Sequence, residues 1–333
     1  MNNPDAAHQI NIDFTDFGHT QPKESYYFFN LLRERFLVRV TDDPDFLIYS
    51  HNSNVHRLYT CKKIFWTSEV YTPDWRECDY AMTHHLLDDP RHLRLPLYTT
   101  WVQAKDLVRS PAEAEDWFPR KIKFCCFFSS YLNRKTEHRG RFFHLLSKYK
   151  RVDAGGKALN NLGFVVPFDP ETKLEFLKPY KFYIAFENES VPGYTTEKIA
   201  EAMTARCVPI YWGNPRVVDE FNPKSFINAN DFLSLEALAA HVAEVDRNDA
   251  LYTQYLREPY FKDNQPNEYY DPNRIRGFFA RIFSDPTPPL AAREKRWFGR
   301  WLLLKRNAPH RMRIWSGAGE GAAPLTGKKV DFY

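Results

Sequence analysis

Short apolar runs of strand length recur along the first third of the chain. They lie at residues 9–14, 36–40, 45–50, 63–67 and 79–83. Residues 24–35, between the first two runs, repeat apolar positions at helical spacing. Strands that alternate with helices or loops are typical of a parallel sheet and not of a sandwich. We therefore predict that this part of the chain forms one α/β domain, at residues 1–115.

The same pattern begins again after an acidic segment at residues 109–120. Strand-like runs follow at residues 121–128, 151–156, 182–186, 207–212 and 225–227, with helical spacing in residues 137–150 and after Ser234. The most economical fold is α/β, with two Rossmann-like, doubly wound domains that face a central cleft. We place the second domain at residues 116–285. A C-terminal helical segment at residues 286–333 begins with the breaker sequence Pro-Thr-Pro-Pro.

Residues 182–215 predict a strand, a polar loop, a short helix and a second strand. Pro192 and Gly193 interrupt the apolar pattern, and Thr195 or Thr196 can cap the helix. Two buried strands joined by a helix are most simply parallel, with a right-handed crossover. The loop then lies at the carboxyl end of the first strand, where open α/β sheets bind ligands. A lysine and free backbone N–H groups at the helix start suit an anion such as a phosphate.

The bulk composition excludes several classes of protein. A chain of 333 residues, 43% hydrophobic and 16% aromatic, has the composition of a packed globular protein. Among the five cysteines, Cys125 and Cys126 are adjacent in an apolar run, which predicts buried thiols and no disulfide framework. The first residues are polar, and no apolar run approaches ~18 residues. We expect a cytoplasmic protein, without a cleaved signal or a spanning helix, that can associate peripherally with the inner membrane.

Residues 291–315 concentrate positive charge near the C-terminus. They hold eight Lys or Arg against one Glu, together with Trp297, Trp301 and Trp315. This pattern predicts an interfacial amphipathic helix that contacts a membrane surface, and a helix packed across both domains is the alternative. A nucleic-acid-binding domain would spread its Lys and Arg over a folded face, so we expect no nucleic-acid partner.

Three motifs in the second half of the chain resemble a known enzyme family. They read FENESVPGYTTEK, VPIYWGNP and FNPKSFINANDF. Their order and spacing resemble the α1,3/α1,4-fucosyltransferases of glycosyltransferase family ten, most of all the bacterial members. A weaker resemblance extends over residues 60–260 and includes FWTSEVYTPDW, LRLPLY and EHRGRFFHLL. The resemblance implies a GT-B fold, GDP-β-L-fucose as the donor, and inversion at the anomeric carbon.

The resemblance also implies roles for individual residues. Glu69 matches the general base of the family, and Arg139 matches a basic residue that contacts the donor phosphates. The positions that match donor-binding residues are Glu187, Asn188, Tyr194, Glu197 and Lys198. Among them, Lys198 is expected at the diphosphate and Glu197 at hydroxyl groups of ribose or fucose.

The chemistry of such a reaction agrees with these roles. An inverting transfer needs one carboxylate to accept the acceptor's proton, and positive charge to stabilise the leaving diphosphate. Glu69 can supply the first, and Arg139 with Lys198 the second. No DxD-like pair stands beside these residues, so we expect that no metal ion or other cofactor is required. The simpler alternatives are a solvated loop carboxylate for Glu69 and a solvated basic helix face for Arg139.

The expected acceptor is a glycan that contains N-acetylglucosamine (GlcNAc): lactosamine, the chitobiose of an N-glycan core, or a chito-oligosaccharide. Tyr71 and Trp75 can stack on sugar faces, while His84 and His85 are either acceptor contacts or packed histidines. Two other functions stay open. One is another nucleotide-sugar transferase of GT-B type, and the other is a membrane- or nucleic-acid-binding module built on residues 291–315.

Overall fold

The computed structural model describes residues 9–18, 21–133, 136–167 and 169–293. Its first sheet consists of β1 (Ile10–Thr15), β2 (Val38–Val40), β3 (Phe46–Tyr49), β4 (Lys62–Trp66), β5 (Tyr80–Thr83) and β6 (His92–Arg94). Helix α1 (Tyr27–Arg33) joins the first two strands. The spatial order is β2-β1-β3-β4-β5-β6, and every neighbouring pair is parallel.

Three short helices lead from the first sheet to the second: α2 (Tyr98–Trp101), α3 (Ala104–Leu107) and α4 (Glu113–Trp117). The second sheet and its helices follow as β7 (Lys123–Phe127), α5 (Glu137–Tyr149), β8 (Val152–Ala154), α6 (Pro170–Leu177), β9 (Tyr180–Phe186), α7 (Glu197–Thr204), β10 (Val208–Trp212), β11 (Ile227–Asn228), α8 (Leu235–Arg247) and α9 (Asp249–Arg257). Its parallel strands have the order β11-β10-β9-β7-β8.

The central strand β9 is covered by helices on both faces. Phe182, Ile184 and Phe186 belong to a core that includes residues of α5 and α8. Tyr183 and Ala185 point the other way, into a core that includes residues of α6 and α7. A parallel strand that is buried on both sides reads as a continuous apolar run, which is why the sequence identified it. The predicted doubly wound α/β arrangement is confirmed for this sheet.

Each sheet has one point where the order of its strands reverses. In the first sheet β1 lies between β2 and β3, and in the second β7 lies between β8 and β9. The strand pairs at these points are β1 and β3 in the first sheet and β7 and β9 in the second. The chain connections leave the two strands of such a pair in opposite directions, so a crevice forms between the carboxyl ends of the two strands. Glu187 and Asn188 follow β9 at the reversal point of the second sheet, whereas Glu69 follows β4, two strands away from β1 in the first sheet.

The helix α10 (Pro272–Ser284) returns from the second sheet to the first. Its residues Ile275, Phe278, Phe279 and Ile282 follow helical spacing and join the core beneath β1, β3 and β4. The sequence prediction assigned these residues to the second domain, and their packing corrects that assignment. The remaining domain limits stay predictions.

The differences from the predicted elements have local causes. The sequence did not predict β6, because three residues with two basic side chains carry little apolar pattern. The segment at 109–120, predicted as a break, contains α4, which its acidic first turn stabilises. Most of residues 291–315 lies outside the described residues, which end with α11 (Leu290–Arg293). The predicted membrane-surface helix therefore stays a prediction.

Two further predictions concern the cysteines and the membrane. All five cysteines are free thiols, and four of them, including Cys125 and Cys126, are buried. The prediction of buried thiols is therefore confirmed for this adjacent pair. Within the residues that the structure describes, no helix combines the length and the apolar character needed to cross a bilayer.

Candidate active site

Glu187 lies immediately after β9 and is fully buried. Its carboxylate accepts hydrogen bonds from the backbone N–H of Thr196 at 2.7 Å, from the Thr196 hydroxyl at 2.6 Å and from Nζ of Lys198 at 3.0 Å. Gly213 packs against Glu187 with a φ of +154°, where any side chain would collide with it. Glu187 therefore organises the start of α7. This corrects the prediction of a donor contact, since a buried and fully bonded carboxylate presents no surface to a ligand.

The start of α7 is less open to an anion than the sequence suggests, because Glu187 already occupies the N–H of Thr196. The positive charge there comes from Lys198, whose side chain is 13% exposed and lies 3.7 Å from Glu197. Burial alone would lower the pKa of Lys198, but the carboxylates of Glu187 and Glu197 raise it above its ordinary value. Lys198 is thus a charged, immobilised group beside the cleft.

Glu197 remains ionised beside Lys198. Burial would raise the pKa of Glu197, but the charges of Lys198 and Lys173 hold it below its ordinary value. Lys173 is itself fixed by a buried ion pair of 2.5 Å with Glu201. Glu197 can therefore accept hydrogen bonds from hydroxyl groups, which is the chemistry that the predicted contact with ribose or fucose needs.

Arg139 comes from the first turn of α5 and reaches across the reversal point between β7 and β9. It is buried, and its Nη1 donates to the Oδ1 atom of Asn188 at 2.9 Å. Its Nε has no hydrogen-bond partner among the described residues. A buried arginine with a free donor at the carboxyl ends of parallel strands is suited to bind phosphate oxygens. The prediction of a solvated basic helix face therefore does not describe Arg139.

Glu69 follows β4 at the carboxyl edge of the first sheet, where its backbone N–H donates to the hydroxyl of Thr67 at 3.0 Å. From the second sheet, the hydroxyl of Tyr194 approaches Oε2 of Glu69 to 3.4 Å. Burial raises the pKa of Glu69 above its ordinary value, while the charge of Lys198 and hydrogen bonds with Tyr194 and Asn188 oppose this shift. The structure thus brings the predicted base together with Asn188, Tyr194, Glu197 and Lys198, four of the predicted donor residues.

His84 is buried between the two halves of this cleft. It is 1% exposed, its Nε2 lies 3.1 Å from the backbone oxygen of Ser68, and its ring packs edge-to-face on Tyr194. Burial lowers the pKa of His84 to about 3, so the ring is neutral at physiological pH. This placement corrects the predicted acceptor contact, because the ring has no exposed face. His84 is the packed histidine of the two alternatives.

Tyr71, His85 and Trp75 are the other predicted acceptor contacts. Tyr71 is 54% exposed beside His51, and Nε2 of His85 lies 3.3 Å from the backbone oxygen of Val70. Both therefore lie next to Glu69 in the chain and at the same edge of the sheet.

Trp75 lies elsewhere. Its ring packs against the guanidinium of Arg91 at 4.2 Å, and it lines a cavity of about 290 Å³ with Asp79 and Leu290. Asp79 and Arg91 directly precede β5 and β6, so this cavity lies at the amino edge of the sheet, opposite to Glu69. Its position corrects the prediction that Trp75 contacts the acceptor.

The sequence did not identify Arg94 and Glu220, which form a buried ion pair of 2.5 Å between the two sheets. The pair lies directly behind Gly193 and Thr195. Nothing in the local pattern marks either residue, since 126 positions separate them in the chain.

Among the described residues, no group of three or more His, Cys, Asp or Glu side chains is arranged to hold a metal ion. The expectation that the reaction requires no metal stays a prediction.

Two family models match consecutive parts of the chain. Residues 12–101 match the model of the α-(1,3)-fucosyltransferase FucT N-terminal domain. Residues 118–266 match the C-terminal model of glycosyltransferase family 10 (fucosyltransferase). The first match contains Glu69, and the second contains every predicted donor residue.

Individual proteins show the same similarity. The α-(1,3)-fucosyltransferase FucT of Helicobacter pylori is 28% identical over 308 residues, which are 80% of this chain and 63% of that protein. A putative fucosyltransferase of Acanthamoeba polyphaga mimivirus is 36% identical over 154 residues, 44% of this chain and 25% of that protein. The chain thus spans less than two thirds of the length of these curated relatives.

A crystal structure of an α1,3-fucosyltransferase with GDP-fucose matches this fold with a TM-score of 0.70 at 25% sequence identity. The match covers 86% of this chain and 94% of that chain. Two parallel α/β sheets facing a cleft are the GT-B fold, as predicted. Since the two family models together match more than half of the sequence in their expected order, the chain belongs to glycosyltransferase family ten, the fucosyltransferases.

Proposed function

We propose that the protein is an inverting fucosyltransferase that moves L-fucose from GDP-β-L-fucose to O3 of a GlcNAc unit in a glycan. One observation carries this proposal: Glu69 of the first sheet lies 3.4 Å from the hydroxyl of Tyr194, in the loop that leads to Lys198. A base and a phosphate-binding cation from different domains then face the same cleft, as transfer between two substrates requires.

The reaction assigns one role to each charged group. The acceptor oxygen bonds to the anomeric carbon of fucose on the face opposite to GDP, and the bond from that carbon to the β-phosphate oxygen breaks. The acceptor proton passes to Glu69, and the bonding electrons leave with GDP. Burial makes Glu69 a stronger base than an exposed glutamate, because it raises the pKa. Arg139 and Lys198 stabilise the negative charge that develops on the diphosphate.

The acceptor side of the proposal rests on Tyr71 and His85. An exposed tyrosine ring beside the base can stack on the apolar face of a sugar, as aromatic side chains do in carbohydrate sites. A GlcNAc unit of lactosamine, of an N-glycan core chitobiose or of a chito-oligosaccharide fits this chemistry. The H. pylori relative is named for α-(1,3) linkage, which supports O3 as the acceptor atom.

The test offers purified protein GDP-fucose, GDP-mannose and UDP-sugars in parallel, with an array of GlcNAc-containing acceptors, and determines the linkage of each product. We expect transfer from GDP-fucose and α1,3-linked products. Transfer from one of the other donors alone would favour the other nucleotide-sugar transferase. If the protein neither binds nor hydrolyses GDP-fucose, the proposal is wrong.

A further inference from the structure

Arg94, the last residue of β6, is a buried arginine that joins the two domains. It is 8% exposed, and its guanidinium lies 4.3 Å from the ring centre of Tyr269. Its Nε donates to the backbone oxygen of His84 at 3.1 Å in the first domain. Its Nη2 donates to the backbone oxygen of Gly193 at 2.9 Å and to Oε1 of Glu220 at 2.5 Å in the second. One side chain thus fixes groups from both domains.

Glu220 extends this contact into the donor loop, which we define as residues 193–196. Its Oε1 also accepts hydrogen bonds from the hydroxyl of Thr195 at 3.1 Å and from the amide of Asn214 at 2.7 Å. Asn214 in turn accepts the backbone N–H of Gly193 at 2.8 Å. The donor loop is therefore held on its buried side by a charged network. Removing one partner from such a network leaves the other charge unpaired in the interior.

The backbone of the donor loop touches the first sheet. Gly193 has a φ of +89°, and a side chain there would collide with the backbone oxygen of His84. The next residue is Tyr194, which is 1% exposed and whose hydroxyl approaches Glu69. Arg94 thus binds Gly193, and the next residue is Tyr194, whose hydroxyl reaches across the cleft to Glu69.

We propose that Arg94 is a positioning residue, which holds the donor loop against the first sheet so that Tyr194 meets Glu69. This inference rests on the proposed function, because it assigns Glu69 the role of base. Arg94 itself touches neither the reacting atoms nor the predicted phosphate-binding groups. It acts by fixing the distance between the two halves of the site, and misplacement by about 1 Å can lower a rate by roughly 10²-fold.

The proposal makes the acid limb of the pH profile informative. Burial raises the pKa of Glu69, and the hydrogen bond from Tyr194 is among the contacts that lower it. When that bond is lost, the pKa of Glu69 rises, and a larger fraction of the base is protonated at a given pH. The acid limb of kcat/KM then moves to higher pH. The charged or polar groups that face Glu69 are Lys198 and Glu197 from α7, Tyr194 and Asn188 from the preceding loops, and neutral His84 behind Ser68.

The experiment compares kcat/KM against pH for wild type, Tyr194→Phe and the double variant Arg94→Met/Glu220→Gln. The double variant removes one positive and one negative charge together, so the direct electrostatic effect on Glu69 largely cancels and no buried charge is left unpaired. We expect both variants to move the acid limb to higher pH. The triple variant, which adds Tyr194→Phe to the double variant, should move it no further, because both changes remove the same contact.

Two further variants separate positioning from stability. Arg91→Met removes an arginine that directly precedes the same strand and pairs with Asp89, and it should leave the acid limb unchanged. Arg94→Lys keeps the charge for Glu220, but one ammonium cannot reproduce the planar fork that spans three acceptors. We expect Arg94→Lys to fold with a melting temperature near wild type and to lose about 10-fold or more in kcat/KM, with the limb displaced. If the double variant does not fold, Arg94→Lys alone decides the test.

The outcomes distinguish this inference from the proposed function. An acid limb that stays at its wild-type position in the folded Arg94 variants, while Tyr194→Phe moves it, would overturn the positioning role alone. An unmoved limb in Tyr194→Phe would overturn it as well, because the contact would then have no effect on the base. Turnover that survives Glu69→Gln would instead contradict the proposed mechanism. A displaced limb in Arg94→Lys and the double variant, with an unmoved limb in Arg91→Met, supports the inference.

Discussion

Glu69 and Glu187 both follow a strand at the carboxyl edge of a sheet, but their surroundings give them different roles. Glu187 is fully buried and its carboxylate accepts three hydrogen bonds from Thr196 and Lys198. Glu69 is only partly buried, and its carboxylate has the hydroxyl of Tyr194 at 3.4 Å and a hydrogen bond with Asn188. The oxygens of Glu187 are occupied by these hydrogen bonds and cannot reach an acceptor hydroxyl, whereas burial raises the pKa of Glu69 and makes it a stronger base. The difference favours Glu69 as the proton acceptor.

We expect Glu69→Gln to lower kcat by about 10²-fold or more, because an amide cannot accept the acceptor's proton. GDP binding should persist, since the predicted phosphate contacts come from Arg139 and Lys198. Steady-state kinetics and calorimetric titration with GDP measure the two quantities. Glu24→Gln, the same change at an exposed glutamate of the same domain, is the control and should match wild type. Near wild-type turnover of Glu69→Gln would contradict the mechanism.

Lys198→Ala should weaken GDP binding by about 10- to 100-fold, since a hydrogen bond to a charged group contributes about 1.5–3 kcal/mol. The variant should also melt at a lower temperature, because Glu187 loses its buried partner. Lys224→Ala changes an exposed lysine of the same domain and should alter neither quantity. An unchanged dissociation constant for GDP in Lys198→Ala would show that Lys198 makes no phosphate contact.

The donor loop belongs to the second domain and contacts the first. Its first residue, Gly193, combines a left-handed backbone conformation with direct contact to the end of β5. These two demands have separate physical origins: the first concerns φ alone, and the second concerns the space that a Cβ atom would need. The sequence indicates the first through the Pro-Gly pair, but it gives no sign of the second.

Gly193→Ala should therefore be more harmful than backbone strain alone explains. Gly163 also has a positive φ, of +80°, but a Cβ there would meet open space. We expect Gly163→Ala to cost about 1–2 kcal/mol of unfolding free energy and to keep its activity. Gly193→Ala should cost more and should also lower kcat/KM, because it separates the donor loop from the first sheet. Urea unfolding and kinetics compare the two variants, and equal effects would contradict the importance of the close approach.

The elements that the sequence predicted well are those whose pattern is local. Strands that are apolar runs buried inside their own sheet have limits that differ from the predicted ones by no more than two residues, as seen for β4, β7, β9 and β10. The position of α10 could not be predicted, because its apolar face does not specify which sheet it covers. The site residues came from the resemblance, whereas Arg94 and Glu220 meet only through the fold. His84 follows a predicted strand and Trp75 offers an aromatic ring for stacking, but only tertiary packing decides that His84 is buried and that Trp75 lies at the opposite edge of the sheet.

At the scale of the whole molecule, α10 makes the first sheet depend on the C-terminal part of the chain. A chain that ends after Asp271 would lose α10 and expose the apolar face under β1, β3 and β4. Burial of each of the four large apolar side chains of α10 contributes about 1.5–3 kcal/mol to the free energy of unfolding. We therefore expect the shortened chain to aggregate or to melt at a much lower temperature. A chain that ends after Pro289 keeps α10 and should remain folded and active. If the chain that ends after Asp271 were stable and active, the packing of α10 would be dispensable.

The chain that ends after Pro289, the Pro289 truncation, also tests the predicted membrane contact of residues 291–315. We expect it to adhere less to anionic lipid vesicles than the full chain does, because it lacks the basic, tryptophan-rich segment. Equal co-sedimentation of the two chains would exclude that segment as an anchor. Unfolding of the Pro289 truncation would instead support the alternative, in which residues 291–315 form a helix packed across both domains.

The carboxylates of Glu187 and Glu197 beside Lys198 affect the rate at which a nucleoside diphosphate enters the cleft. Among the described residues of the site, Arg139 and Lys198 lie with the carboxylates of Glu69, Glu187 and Glu197, so these five groups together carry no positive excess that would attract an anion from a distance. Recognition then depends on directed contacts made after arrival and not on electrostatic steering. The association rate of GDP, measured by stopped flow, should therefore change little as the salt concentration is raised. A substrate range set by geometry in this way would discriminate among sugar nucleotides of equal charge.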